Sequence, residues 1–443
     1  MSRATVEARP GTPWARGFLA AFLVLIAWQV PASWGEWNVQ WSDLAAAGFL
    51  LSALAAGVWR WNRPPLVTWI VLYIGASLPS LVHSAHLGAS LLEFVKTVYL
   101  ACLGVALATW IRACRAWEDV TKWFSFAVAA TVIIALGVWA YGAWSGHAPA
   151  GLAVAMAVPN VGQVVRVKAF LPTPTMLANY LTIGIPVLVG LAAARTRWPR
   201  AASWAILVVG LLAAGTTASH SVAGCLVAAA LIAPRMSWWD RVGQWCLSLL
   251  AVAAVLFSLV ATTVAVHDIR TASAPAASQP ASLADHEFAG PSGTGEELTV
   301  QVHYTWVVYG ILKRLAWEAW QRRPWLGIGL GEFPHEVTKA FEGGRLHAYY
   351  AAGHNPHSTW FGAMAETGLV GLAGLMGLWI ALLRAGARAN ARTGQSAEHW
   401  GVRAAFAGLI GLLVNSVHVD VMHFRFLWVG MALVLAAGQG ARS

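Results

Sequence analysis

Twelve apolar runs organise the sequence, at 17–34, 44–59, 65–83, 90–111, 123–143, 176–194, 201–216, 221–234, 242–266, 356–383, 402–416 and 424–438. A helix needs about 20 apolar residues to cross the hydrocarbon of a bilayer. There the backbone can bond only to itself. Several runs are shorter than that, but together they predict an all-α, polytopic integral membrane protein with about twelve transmembrane helices. Composition agrees: 58% of the 443 residues are hydrophobic and 11% are charged, against about a quarter charged in soluble domains. The 26 Trp suit interfacial belts. Cys102, Cys114, Cys225 and Cys246 fall in or beside apolar runs without metal spacing and read as packing residues. The first run follows Arg3, Arg9 and Arg16, is long and lacks a small-residue cleavage site, so it is expected to be a retained helix.

Basic residues orient the chain. Arg3, Arg9, Arg16, Arg60, Arg63, Arg112, Arg115, Lys122, Arg195, Arg197, Arg200, Arg235, Arg241, Arg384, Arg388, Arg392, Arg403 and Arg442 fall in alternate loops, most of the 29 Lys and Arg. By the positive-inside rule that side is cytoplasmic, with both termini inside. The net charge of +10 is then a topology signal, and no nucleic acid partner is needed to explain it. Residues 1–266 read as nine helices with a smaller outer segment at 144–175, residues 267–355 as one large outer loop, and residues 356–443 as three further helices.

The large loop opens with "TASAPAASQPASLADHEFAGPSGTGEE", rich in Ala, Ser, Pro and Gly. From about 298 the pattern changes. Trp306, Gly310, Lys313, Trp317 and Trp320 recur at helical spacing, predicting an amphipathic interfacial helix that Pro324 ends. "GIGLGEF" reads as a glycine-rich turn and 334–342 as a short helix. Ionisable residues in apolar runs are costly and point to function by default. Glu93 and Lys96, three apart, predict an ion pair on one helix face. Arg425 is expected to snorkel. Glu366, twelve residues beyond His354 and so about 18 Å along a helix, reads as a packing or hydrogen-bonding residue.

The outer positive charges break the charge bias. Arg166 and Lys168 lie in "GQVVRVKAFLPTPTMLANY", and Lys313, Arg314, Arg322 and Arg323 on the amphipathic helix. Lipid headgroup attraction explains some of them. Arg166 and Arg314, on two segments facing one cavity, would form a clamp for a pyrophosphate, because a guanidinium bonds phosphate oxygens in pairs. His354 opens the tenth run beside Asn355, either as a helix cap or as a general base with a near-neutral pKa. His357, three positions on, would make half a metal site, but the large loop shows no HExxH or paired acidic motif. No metal or other cofactor is predicted.

The stretch "GRLHAYYAAGHNPHSTWFGAMAETGLVGL" resembles the signature of the O-antigen ligase and polymerase superfamily, in which His-Asn opens a helix carrying Glu-x-Gly-x-x-Gly. His354, Asn355, Glu366, Gly368 and Gly371 match in order. "RLAWEAWQRRPWLGIGLGEF" is similar to the family's upstream stretch through Arg314, Trp317, Pro324, Gly327, Gly329 and Phe333, with one extra residue before the Phe. In "RVKAFLPTPTMLANYL", Arg166, Pro174 and Ala178 match while Ala169, Leu171, Thr173 and Thr175 depart. Around "TTASHSVAG" the family often has Ser-Arg-Gly, which is absent here. The resemblance implies a GT-C-like multi-pass protein of the bacterial inner membrane whose active site faces the periplasm. It implies an inverting, metal-independent ligase that moves a glycan from undecaprenyl pyrophosphate to the lipid A–core oligosaccharide. His354 would be the base and Arg166 and Arg314 would hold the pyrophosphate. Lys168, Lys313, Arg322, Arg323 and Asn355 would line the substrate site among membrane lipids. An O-antigen polymerase or a protein O-oligosaccharyltransferase of the same superfamily, and more distantly a lipid or glycan flippase, are the alternatives.

Overall fold

In a computed structural model of the chain, the described residues are 12–29, 39–57, 65–158, 162–195, 199–234, 238–271, 295–342, 355–391 and 397–437. Among the described residues, each of the twelve apolar runs contains a helix. Nine come first: α1 (Pro13–Leu25), α2 (Trp41–Ala55), α3 (Pro65–Ser77), α4 (Leu87–Ala113), α5 (Trp117–Ser145), α6 (Pro174–Arg195), α7 (Pro199–Gly215), α8 (Val222–Ile232) and α9 (Trp238–Thr271). After α10 (Gly295–Arg322) and α11 (Phe333–Glu342) come α12 (Thr359–Asn390), α13 (Ala397–Asn415) and α14 (Arg425–Ala437). Among the described residues five stretches are long and apolar enough to cross a membrane: Leu66–His83, Leu87–Ala113, Trp117–Ser145, Pro174–Ala194 and Thr359–Asn390. Several further apolar helices are shorter.

The fold is not purely helical. Part of the segment 144–175 forms an antiparallel hairpin of β1 (Ala153–Val158) and β2 (Gly162–Val167), with Val154 opposite Arg166. Residues 162–167, "GQVVRV", hold three β-branched valines, which favour a strand, a signal that the helical character of the rest of the chain overshadows. The hairpin is fastened to the helix ends around it. The Val167 N–H donates to the Thr216 carbonyl (3.0 Å) beyond α7, and Val165 packs on Gly142 of α5.

Helix α6 runs through the centre against α5, α7, α8 and α13. Small residues let these backbones approach: Gly224 of α8 and Gly411 of α13 are so close that a Cβ on either would strike the other's carbonyl. A buried polar knot ties the same helices. Asn415 donates to the Asn179 side chain (2.9 Å) and the Ser221 carbonyl (3.0 Å), and accepts from the Gly224 N–H (3.0 Å). Arg425 does not snorkel. It forms a two-pronged ion pair with Asp43 of α2 (2.7 and 2.6 Å), which also accepts from the Tyr99 hydroxyl.

The segment 324–333 interlocks with a break in α12. At Gly368 the helix departs from helical geometry (φ 64°, ψ −161°), which frees backbone groups that need partners. The loop supplies them. The N–H groups of Leu369 and Val370 donate to the carbonyls of Pro324 and Trp325 (2.8 and 3.2 Å), and those of Ile328 and Gly329 to Ala365 and Glu366 (3.0 and 3.1 Å). Backbone meets backbone so closely that a Cβ on Gly327 would strike Glu366 and one on Gly368 would strike Trp325. The Glu366 carboxylate accepts from the Phe333 N–H (3.3 Å), the hydrogen-bonding role expected of it. Phe333 in turn sits in a small core with Leu312, Ala316, Ile328 and Ala365 that seats α10 on α12.

Candidate anion site beside helix α10

Helix α10 presents Tyr309 and Lys313 inward, one turn apart, and Arg314 outward. Lys313 is 7% exposed, and its ammonium donates to Nδ1 of His418, 3.2 Å away, in the connection between α13 and α14. From the hairpin, Arg166 bonds through Nε to the Thr217 carbonyl (3.0 Å). His220, in the α7–α8 connection, lies edge-on to Tyr309, with ring centroids 6.2 Å apart. The Tyr309 ring meets His357 at 4.8 Å. A cavity of about 150 Å³, apolar for the most part through Ala223, Val255, Val414 and Val417, is also lined by His220, Ser221, Asn415 and His418.

These groups share one electrostatic environment. Burial pushes the Lys313 ammonium down to about 8. It also lowers Arg166, which Tyr309 partly offsets, and that guanidinium keeps its proton at any physiological pH. Burial, then Arg166 and Lys313, push His220 down to about 4. Burial, then Lys313 and His220, do the same to His418. Near neutral pH the site thus holds two cations and two neutral imidazoles. An anion entering it would find fixed positive charge and hydrogen-bond donors, and would raise the proton affinity of both histidines.

The sequence candidates divide. Arg166 and Lys313 come together around His220. Arg314 does not join them: its side chain is 56% exposed and pairs with Glu318 at 3.0 Å, because one residue turns the helix by about 100°. Arg322 pairs with Glu336 (2.5 Å) and Arg323 with the His83 carbonyl (3.2 Å), both at the exposed end of α10. Lys168 is half-buried where the hairpin exits, its N–H on the Leu152 carbonyl (3.0 Å). Asn355 is exposed and is not the cap of α12; Ser358 is, accepting from the Phe361 N–H. His354 lies outside the described residues. The sequence reading missed His220, Tyr309, His418, Asp420 and His423. The signal was present in "ASHS" and "SVHVDVMHF", where polar residues crowd the short connections between apolar runs.

A second cluster lies on the other side of residues 418–423. His423 bridges Asp420 (3.0 Å) and Glu93 of α4 (3.3 Å), and Glu93 also holds Lys96 at 2.6 Å, the pair expected from their spacing. Asp420 accepts further bonds from Thr359 Oγ1 (3.3 Å) and the Met422 N–H (3.1 Å). Compared with known proteins, the chain matches no family model and no curated sequence.

Proposed function

We propose that this chain is a membrane glycosyltransferase of the O-antigen ligase kind, moving a glycan from undecaprenyl pyrophosphate to a lipid A–core acceptor on the outer face of the inner membrane, with about twelve spans. The observation that carries the reading is the convergence of Arg166 and Lys313 on His220 and His418, drawn from three separate connections and from α10, with the two histidines lining a small cavity. Transfer from a lipid pyrophosphate needs charge to develop on the departing phosphate oxygen, and fixed cations placed there lower the barrier. In this reading an acceptor hydroxyl attacks the anomeric carbon. The bond to the pyrophosphate breaks with its electron pair on the phosphate oxygen, and the hydroxyl proton passes to His354, the base implied by the family resemblance. Arg166 and Lys313 hold the leaving group, and no divalent ion is given a part in the transfer. Lys313 takes the role first assigned to Arg314.

The test is the purified protein in liposomes with a lipid-linked glycan donor and, in separate arms, lipid A–core, a second lipid-linked repeat unit or a pilin-type protein. Transfer to lipid A–core that falls at least about tenfold in Lys313→Ala and in His354→Asn is expected. Transfer to either other acceptor instead would reassign the chain to the polymerase or protein-modifying branch. No transfer to any acceptor would overturn the enzyme reading.

A further inference from the structure

We propose that His86, Glu332 and His335 form a zinc site that fastens the α3–α4 turn to the start of α11. The three offer ligand atoms that all lie within 4.8 Å of one another. Nδ1 of His86 is 2.9 Å from Oε2 of Glu332, and the His86 and His335 rings face each other with centroids 3.7 Å apart. A tetrahedral zinc with bonds of about 2.0–2.1 Å sets its ligand atoms about 3.3 Å apart, so binding would turn the two imidazoles out of their stacked arrangement until one nitrogen of each points at the ion. Two nitrogens and one carboxylate oxygen suit zinc or a similar transition ion rather than magnesium or calcium, which take oxygens.

The surroundings support ligation. Glu332 is 4% exposed, and its other oxygen, Oε1, accepts from the Ser84 hydroxyl and the His86 N–H, both at 2.6 Å. Ser84 is held in turn by Ser90 (2.7 Å). The carboxylate is therefore oriented before any ion arrives, as outer partners orient metal ligands. His83 is turned onto the Gly327 carbonyl (3.1 Å) and is not one of the ligands. The ligands come from segments 246 residues apart. An ion here would pin the 324–333 loop that fills the break in α12. The site stands apart from the anion cluster, and the inference holds whether or not the chain is a transferase.

The test uses the full chain without a polyhistidine tag, stripped with chelator and titrated with zinc chloride by calorimetry. One site per chain is expected, weakened at least about tenfold by His86→Ala and by Glu332→Gln. His147→Ala, an exposed histidine of another loop, should leave it unchanged, and magnesium should not compete. In the unaltered protein, zinc should protect His86 and His335 from diethyl pyrocarbonate, read by mass spectrometry, so the outcome does not depend on the variants folding. Binding that survives both substitutions, or equal modification of His86 and His335 with and without zinc, would overturn the site.

Discussion

Two clusters share the six residues from His418 to His423, one cationic and one of balanced charge. On one side His418 joins His220, Lys313 and Arg166, where burial and neighbouring cations drive both histidines down to about 4. On the other, burial also works against the charge of His423, but Asp420 and Glu93 outweigh it and raise that histidine to about 9. Five residues apart in sequence, one imidazole is kept neutral and the other charged. The difference lies in the partners, since burial opposes the charged form in both places. A cluster of cations and neutral imidazoles favours an anion over a further cation. A cluster of alternating signs satisfies itself, and its role in the molecule is to hold α4, α12 and the α13–α14 connection together.

The largest effect should come from the scaffold of the self-satisfied side. Gly327→Ala and Gly368→Ala each place a Cβ against backbone at a positive φ. Strain alone at such a position costs about 1–3 kcal/mol, and here neither backbone can withdraw without breaking the bonds across the kink. Both variants should express poorly or melt many degrees below the parent in detergent. Gly146→Ala, at φ 72° with open space around it, is the control and should cost about 1 kcal/mol. Equal stability of all three would mean that the loop and α12 do not interlock.

Next in size is the contrast between adjacent residues of α10. A charge-assisted hydrogen bond is worth about 1.5–3 kcal/mol, so Lys313→Ala should weaken binding of pyrophosphate or the lipid-linked donor about tenfold to a hundredfold. Arg314→Ala removes an exposed pair with Glu318 and should change binding by less than about threefold. Isothermal titration of both variants decides which of the two faces the anion. A larger loss from Arg314→Ala would return the clamp to the assignment made from sequence.

That assignment shows where sequence reading reaches its limit. The helices were legible because apolar runs between basic loops have one solution in a bilayer, and α10 was legible through its tryptophan spacing. The helical phase of α10 was not, because "LKRLAW" offers a lysine and an arginine side by side and only packing against the small core at Leu312 and Ala316 turns Lys313 inward. His220 and His418 stood among other polar residues in short connections, but nothing local says that the two meet: the connections are joined nearly 200 residues apart, tied by Asn415 to Ser221 and Gly224. The Asp43–Arg425 pair spans 382 residues, and no local pattern announces it.

Smaller, but specific to the cationic side, is the pH dependence of anion binding. With Lys313 near 8 in the free protein, an anion binds the protonated form and holds the proton. Affinity should therefore fall as pH rises through 8, by up to about tenfold between pH 7 and 9. Lys313→Arg keeps its charge across that range and should flatten the profile. Toward pH 5 the affinity should rise, as bound anion lets His220 and His418 take up protons. A profile that is flat from pH 5 to 9 in the parent protein would mean that these groups do not meet the anion.

The smallest effect tests the other cluster by the same logic with the sign reversed. His423 has a folded-state pKa of about 9 against 6.5 for the ordinary side chain. A raised pKa contributes stability that is fully present below about 6.5 and is lost as pH rises through 9. Asp420→Asn removes the strongest attraction, leaving Glu93 and the burial that opposes the charge. The variant should therefore melt below the parent at pH 6, and the gap should narrow toward pH 9.5, where His423 is neutral in both proteins. Because the His423 side chain is 42% exposed, solvent screens the pair and the gap at pH 6 should be only about 1 kcal/mol, a shift of about 1–3 °C. A gap of the same size at both pH values would show that Asp420 contributes through its bonds to Thr359 and Met422 alone. The two clusters would then differ in shape but not in the sign of the charge they stabilise.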